Sequence, residues 1–575
     1  MIKLAKYLKT EKLKTIAIPI FIIVEVIAEV LIPVFIGRLI DQGIEAGRTD
    51  LIYRYGAIMA GLAVTALFFG IFASRLAASV STAFARNLRQ AQYENIQTFS
   101  FENIDKFSTS SLITRMTLDV SMVQNSFRML IRIAFRAPGL LVFSIISSFV
   151  VAGKMGFIFV SVIPLLSFGF FIVMRGAHKH FRQMFNKIDH LNLVIQEDLS
   201  GIRTIKSYVR EEHEIAKFDY AATEVAQNAI RAEKWIIFNN PILQFSAGLS
   251  FALIGWFGSY NMIYHGFTKG QFTNVITYVM QVLFSLMMIS NVFLFFVISK
   301  AAVDRITEVL DEKTTLGEKE EAIEIVKDGS VEFRNACFKY QESESKMVLN
   351  NINLKIPSGA FVGVFGGTGT GKTSLVQLIP RLYDVNRGQV LVGGVDVRDY
   401  KINAVREAVM LVLQKNVLFS GTLRDNIKYG KADATDEEII DVLKKAQAYN
   451  FVSKWEKGLD TWIEQGGVNV SGGQRQRLTI ARALIANPKV LILDDSTSAV
   501  DTKTDALIRE MLRNEKPEMT KIVVSQRIAS IENADLIVIL DDDGINAIGD
   551  HQKLYKTNQI YQSVYDAQKK GVNNQ

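Results

Sequence analysis

Crossing the hydrocarbon core of a bilayer takes about 20 consecutive apolar residues. Six stretches meet that requirement: residues 16–40, 55–80, 129–152, 157–174, 238–263 and 272–298. Lipid offers the backbone no hydrogen-bond partners, so such stretches fold as helices. All six lie in the first 298 of 575 residues. The chain is 49% hydrophobic and yet 21% charged, a mixture that fits a membrane part joined to a water-soluble part. The expected fold class is an α-helical six-span membrane domain over residues 1–310, followed by an α/β domain over 329–575. Residues 311–328, DEKTTLGEKEEAIEIVKD, are charged enough to read as the linker.

The connections between spans alternate in length. Residues 41–54, 153–156 and 264–271 are short, whereas 81–128 and 175–237 are long, polar and free of proline. The long pair carries the basic residues, among them Arg86, Arg89, Arg115 and Arg128, then Arg175, Arg203, Lys206 and Arg210. Positive loops stay inside, which puts both long connections and both termini on the cytoplasmic side. There they form inward-projecting helix pairs that turn near residues 101–107 and 200–207, within reach of a cytoplasmic domain. The basic amphipathic start MIKLAKYLKTEKLK is expected to lie along the inner membrane surface. These membrane-edge charges account for the net charge of +7 without a nucleic-acid partner. A single cysteine, Cys337, excludes an intrachain disulfide, and its expected role is that of a small buried hydrophobe.

Charges inside spans are costly and mark function or pairing. Glu25 and Glu29 are four apart, hence on one helix face. Arg75 lies in the second span, and Arg132 and Arg136 open the third. They form either a cation- or proton-linked site, or a structural pairing, or a water-exposed vestibule. The sixth span carries Met280, Met287 and Met288 among many phenylalanines. Such a surface either adapts to varied apolar ligands or simply packs and faces lipid.

In the second half, strands alternate with helices, as in α/β nucleotide-binding domains. A short apolar strand over 361–365 runs into GGTGTGKT (Gly366, Gly367, Thr368, Gly369, Thr370, Gly371, Lys372, Thr373) and a helix continuing through Ser374. Glycines let successive N–H groups turn inward, and the helix adds the positive end of its dipole. Lys372 is placed to reach the β- and γ-phosphates and the Thr373 hydroxyl to hold Mg²⁺. A glycine-rich turn without a ligand is the plain alternative, and the complete pattern in its strand–loop–helix context argues against it. A second apolar strand, VLILDD, ends in Asp494, suited to Mg²⁺, and Asp495, where a carboxylate orients or deprotonates water. The run VSGGQRQR offers Ser471, Gly472 and Gly473 at a helix start, a second anion site. One chain already owns a phosphate loop, so this second site points to the nucleotide of a partner. Tyr340 either stacks on a base or packs as an edge-strand tyrosine.

Taken together, these residues resemble an ABC transporter half of the exporter type over essentially the whole chain. The resemblance implies ATP and Mg²⁺ as ligands and a dimer of two halves in a cell membrane, bacterial in kind. It implies that Tyr340 stacks on adenine and that Gln414 is the Q-loop residue, counted with Thr373 and Asp494 toward Mg²⁺. It makes Ser471, Gly472, Gly473 and Gln474 the signature, with Val470 where leucine is usual. Glu464 falls in the loop before it, residues 498–501, ending in Asp501, form the D-loop, and Ser525–Arg527 form the switch.

Two positions depart from the family pattern. Asp495 stands where glutamate is usual, and Gln526 where histidine is usual. Aspartate is one methylene short, about 1.5 Å. General-base catalysis, worth roughly 10²–10⁴-fold, depends on hydrogen-bond reach. Glutamine cannot carry the charge or shuttle the proton of histidine. The chain is therefore expected to bind ATP at a degenerate, slowly hydrolysing site. Its partner, a different half-transporter, would supply the opposing signature and an active Walker B glutamate. The expected activity is ATP-driven export of amphipathic, mostly hydrophobic compounds, multidrug in type. Lipid or peptide export, or a nucleotide-gated channel or regulatory half, are the alternatives.

Overall fold

The computed structural model describes residues 2–340, 347–495, 502–514, 516–542 and 544–573. It divides into two compact units: residues Met1–Gln97 with Thr109–Glu312, and Thr98–Ser108 with Lys313–Gln575.

The first unit is helical. Its elements are α1 (Lys12–Arg38), α2 (Thr49–Gln97), α4 (Thr109–Thr114), α5 (Val120–Ala152), α6 (Phe157–Ser200), α7 (Ile202–Ser207), α8 (Glu211–Ile236), α9 (Asn239–Tyr264) and α10 (Lys269–Asp311), while α3 (Phe101–Phe107) belongs to the second unit. Six segments among the described residues are long and apolar enough to cross a membrane. The long polar connections are largely continuations of the spans: α2 runs 49 residues and α6 runs 44. Without proline or a glycine run to stop them, the helices keep their i→i−4 bonds beyond the apolar stretch. The expected turns appear as the short helices α3 and α7.

Inside the bundle Ile18, Ile22, Val26 and Val30 of α1 pack against Ala73 and Ala77 of α2, Leu140 of α5 and Tyr278 of α10. The small residues let helices approach closely, which substitutes for a hydrophobic drive that lipid cannot give. The Tyr278 hydroxyl donates to the Val30 carbonyl at 3.0 Å. Arg305 grips Asp119 with two bonds of 2.6 and 2.7 Å. The basic N-terminal segment is a 3-10 helix over Ile2–Glu11, and its Leu4 is buried with Phe84, Leu88 and Ile306. Part of its apolar side thus packs on protein.

The second unit contains two main sheets. One has the order β12-β11-β3-β10-β9-β6, built from β3 (Phe361–Gly366), β6 (Val409–Val412), β9 (Val490–Asp494), β10 (Thr520–Val524), β11 (Leu536–Asp541) and β12 (Gly544–Gly549). It is parallel except at β12. The other is antiparallel, β2-β1-β4-β5, from β1 (Val331–Phe338), β2 (Leu349–Ile356), β4 (Arg387–Val392) and β5 (Val395–Asp396). A two-stranded ribbon joins β7 (Gly421–Thr422) to β8 (Trp462–Ile463). Nine helices fill the rest: α11 (Lys372–Leu378), α12 (Ile402–Ala408), α13 (Leu423–Lys428), α14 (Asp436–Lys445), α15 (Tyr449–Val452), α16 (Gly472–Leu484), α17 (Thr502–Asn514), α18 (His551–Thr557) and α19 (Gln559–Asn573), counted among the described residues.

Successive side chains of a strand point to opposite faces, and here both faces are covered. Val362 and Val364 enter the core shared with β1, β2 and α11, while Phe361 and Phe365 enter the core shared with α13, α14 and α16. That is why β3 and β9 read as unbroken apolar runs. The charged segment after α10 lies on this unit, burying Leu316 and Val326 and pairing Ile323 with Tyr400. Cys337 is half-buried rather than buried. Ala336 and Phe338 take the core positions on either side of it, so alternation along β1 turns Cys337 away.

Residues 98–108 are held in the second unit by α3. Ser100 and Asn103 form a reciprocal cap, Phe101 meets the Tyr383 ring edge-on at 6.0 Å, and the Tyr383 hydroxyl donates to Asp105 at 2.7 Å. Replacing both Phe101 and Asp105 by alanine should speed amide exchange across 98–108 by roughly tenfold, about 1.4 kcal/mol, and leave β3 and β9 unchanged. An unaltered exchange rate would show that these contacts do not hold the segment.

Candidate functional site

The site is built on strand ends. In the parallel register Val364 of β3, Val524 of β10 and Asp494 of β9 are neighbours, so all three strands stop at one edge. Ligands of open α/β sheets bind outside such carboxyl ends. Past β3 the chain enters the glycine loop, with Gly369 at φ +88° and Gly371 at φ +83°. A Cβ on Gly371 would stand 2.8 Å from Leu349 Cδ2 and 3.0 Å from the Val348 carbonyl. Both the backbone sign and the space therefore demand glycine. Gly371 then caps α11.

Around this edge a cavity of about 430 Å³ is lined by Tyr340, Thr368, Gly369, Gly371, Lys372, Thr373, Ser374, Gln414, Asp494, Asp495 and Gln526. These are eleven of the residues that the sequence reading selected. Gly366, Gly367 and Thr370 border an adjoining hollow, which Thr368 and Gln526 also touch. Lys372 is buried, and its ammonium donates to the carbonyls of Gly366, at 2.9 Å, and Gly367. Burial pulls its pKa below the ordinary value, and the carboxylates of Asp494 and Asp495 oppose that shift. The Tyr340 hydroxyl lies 2.7 Å from Ser374 Oγ, and its ring packs edge-on against Phe338 and Tyr383. That ring is both a cavity wall and packed on its neighbours, though it lies just past β1, an interior strand between β2 and β4, and not on an edge strand.

Thr373 Oγ1 donates to Asp494 Oδ1 at 3.2 Å. The second oxygen, Asp494 Oδ2, is buried with no hydrogen-bond partner among the described residues. A buried, orphaned carboxylate oxygen beside a hydroxyl and the Gln414 amide is an all-oxygen donor set, which fits a hard divalent cation such as Mg²⁺. Bound there, the metal would neutralise phosphate charge. Burial raises the Asp494 carboxyl above its usual range. It raises Asp495 as well, against the pull of Arg527, Lys372 and a hydrogen bond with Gln414. Asp495 has left-handed backbone, φ +46°, and its N–H donates to the Val524 carbonyl at 3.0 Å. Aspartate tolerates that region better than most residues.

The signature residues line neither hollow. Ser471 caps α16: its Oγ accepts from the Gln474 N–H at 3.3 Å, and its own N–H donates to Gln474 Oε1 at 2.9 Å. Gly472 and Gly473 form the first turn, and Glu464 takes the Asn469 side-chain oxygen on its N–H at 3.0 Å. Residues 498–501, with Asp501, lie outside the described residues.

Sequence reading missed Gln568. From α19 its Nε2 donates to the Gln526 carbonyl and its Oε1 accepts from the Ile528 N–H, both at 2.9 Å. One amide thus fixes the backbone on both sides of Arg527. No motif announces it, because the contact spans about 40 residues and targets main chain. Gln568→Ala should quicken exchange of the Ile528 amide several-fold and leave ATP affinity at the glycine loop unchanged. Gln568→Glu, which keeps the acceptor, should protect Ile528 as the parent does. If both variants exchange like the parent, Gln568 does not hold the switch.

Known proteins place this geometry. Residues 15–287 match the family model described as the ABC transporter transmembrane region, and residues 349–498 match the one described as ABC transporter. An uncharacterized ABC transporter ATP-binding protein of Bacillus subtilis, YfiB, is 35% identical over 99% of this chain and 98% of its own. An ATP-dependent lipid A-core flippase of Desulfotalea psychrophila is 32% identical over 80% of each chain. A solved bacterial Atm1-family ABC exporter with ATP bound shares the fold, with a TM-score of 0.85 and 21% identity over 96% of this chain and 98% of its own. With both domains matched and YfiB spanned nearly end to end, this chain belongs to the ABC transporter family.

Proposed function

We propose that the chain is one half of a heterodimeric exporter whose own glycine loop serves an ATP site of weak turnover. The observation that carries this reading is the pair Asp495 and Gln526, which stand at the wall of the nucleotide cavity where glutamate and histidine are usual. Two copies of this chain would form two sites lacking both groups. A second, different half would offer its complete Walker motifs to the Ser471–Gln474 helix cap of this one. ATP held between the halves favours the closed arrangement by its differential affinity, and turnover at the partner's motifs resets it. The proposed division of labour is residues 1–310 for transport, 311–328 as linker and 329–575 for nucleotide. The basic long connections support a cytoplasmic placement of both termini and of the nucleotide domain.

Amphipathic compounds are the proposed cargo. Lipid export is the second reading, favoured by relatives named lipid A-core flippases in Desulfotalea psychrophila and, at 30% identity, Pectobacterium atrosepticum.

The asymmetry is testable by substitution in this chain alone. In the co-purified pair, Asp495→Ala should leave ATP turnover within about twofold, while Ser471→Arg should abolish it. Purified without its partner, the chain should hydrolyse slowly, and Asp495→Glu with Gln526→His should raise that rate by up to roughly 10²–10⁴-fold. Full turnover by the unaltered chain alone sinks the heterodimer, and equal losses for the two single variants sink the degenerate site.

A further inference from the structure

A second cavity, of about 730 Å³, lies within the membrane unit. Its charged lining is Arg128, Arg132 and Arg136 of α5 and Glu29 of α1, and its apolar lining includes Phe284, Met287 and Met288 of α10. Arginines at i, i+4 and i+8 share one helix face, so α5 presents a basic stripe to this space.

The acids do not balance the stripe. Arg136 pairs at once with Glu25, which is buried, and with Glu29 at 2.9 Å. Both carboxylates of α1 are therefore spent on one guanidinium. Arg128, which is exposed, reaches the Asn125 amide oxygen at 3.4 Å and no other partner among the described residues. Arg132 has no hydrogen-bond or ion-pair partner among the described residues. Arg128 is exposed at the cytoplasmic edge, but Arg132 and Arg136 lie within the third span, and Arg136 takes both carboxylates, which leaves the half-buried Arg132 without one among the described residues. An intramembrane cation without a counterion is expensive and, as a rule, functional. Its guanidinium offers a planar fork matched to phosphate, sulfate or carboxylate. The methionines and Phe284 across the cavity offer a deformable apolar wall.

We infer that this cavity binds amphipathic anions, an acyl or aromatic body with a phosphate, sulfate or carboxylate head, and that Arg132 is the head's principal contact. The inference rests on the exporter reading and narrows its cargo. Of the alternatives that the sequence leaves open for Glu25 and Glu29, the contacts with Arg136 match the structural pairing.

The full-length chain, with its partner half where one co-purifies, is placed in nanodiscs of zwitterionic lipid. Binding of four probes is then measured: short-chain phosphatidic acid, short-chain phosphatidylcholine, decyl phosphate and the cationic dye rhodamine 6G. Both anions should bind at least about tenfold more tightly than phosphatidylcholine or the dye. Phosphatidic acid well above decyl phosphate would identify a lipid as the source of the head, and equal binding a free single-chain anion. Arg132→Gln should weaken both anions about tenfold, Arg132→Lys should recover part of the loss, and Glu29→Gln should tighten them. Because the two neutralising variants move affinity in opposite directions, misfolding cannot imitate the pattern. Dye binding equal to that of the anions, or an anion preference unmoved by Arg132→Gln, overturns the inference. Binding of a fluorescent ATP analogue is followed in the same samples. If it persists while the anion preference is absent, only the cargo assignment fails.

Discussion

Everything at the nucleotide site hangs on the register of β10 between β3 and β9. Val524 stands beside both Val364 and Asp494, so the glycine loop, the two carboxylates and the switch segment leave the sheet at one edge. A shift of one residue would turn every side chain of the strand to the opposite face, exchanging Val523 and Val524 between two separate cores. Burial on both faces makes that exchange costly, and this fixes the edge that carries the glycine loop and the two carboxylates more firmly than any polar contact within it.

Within that frame, the short reach of Asp495 follows from its side chain and not from a displaced backbone. Its N–H keeps a ladder-like bond to Val524, its carboxyl faces the cavity with Gln414, and burial raises its pKa. A raised carboxylate is a stronger base once ionised, yet basicity cannot replace the missing methylene when the attacked proton lies out of range. The neighbouring Gln526 is held by its carbonyl from α19, so it too has limited freedom to move in and compensate. The weak turnover proposed for this chain would then arise in an ordered site, from a shorter group and an uncharged one.

Much of this was legible in the sequence for a definite reason. Lipid imposes a minimum apolar length, so all six spans could be read, and phosphate cradling imposes Gly371, Lys372 and Thr373 in fixed order. What sequence left open were partners across long separations. Glu25 and Glu29 could be set on one face from their spacing, but Arg136 closes the pair from 107 and 111 residues away. Gln568 uses main-chain partners, which any residue supplies. The reach of α2 and α6 was legible too, because polar helix-permissive sequence runs on to the turns expected near 101–107 and 200–207, and the helices end at Gln97 and Ser200. Cys337 was misjudged because residue type alone does not say which face of β1 it takes.

The same lesson applies to the charges of the bundle. Counting acids and bases along single spans leaves a cation site on α1 open beside a structural pairing, since Glu25 and Glu29 stand out in an apolar helix. Counting them by contact favours the pairing, since one arginine serves both acids while Arg132 serves none among the described residues. In water such bookkeeping would matter little, because exposed pairs contribute roughly 0–1 kcal/mol. Within the span, where the effective dielectric is lower, the loss of one partner weighs more. An uncompensated Arg132 is thus the feature of this bundle least explained by folding alone, and the chemistry it invites is that of an anion with an apolar body.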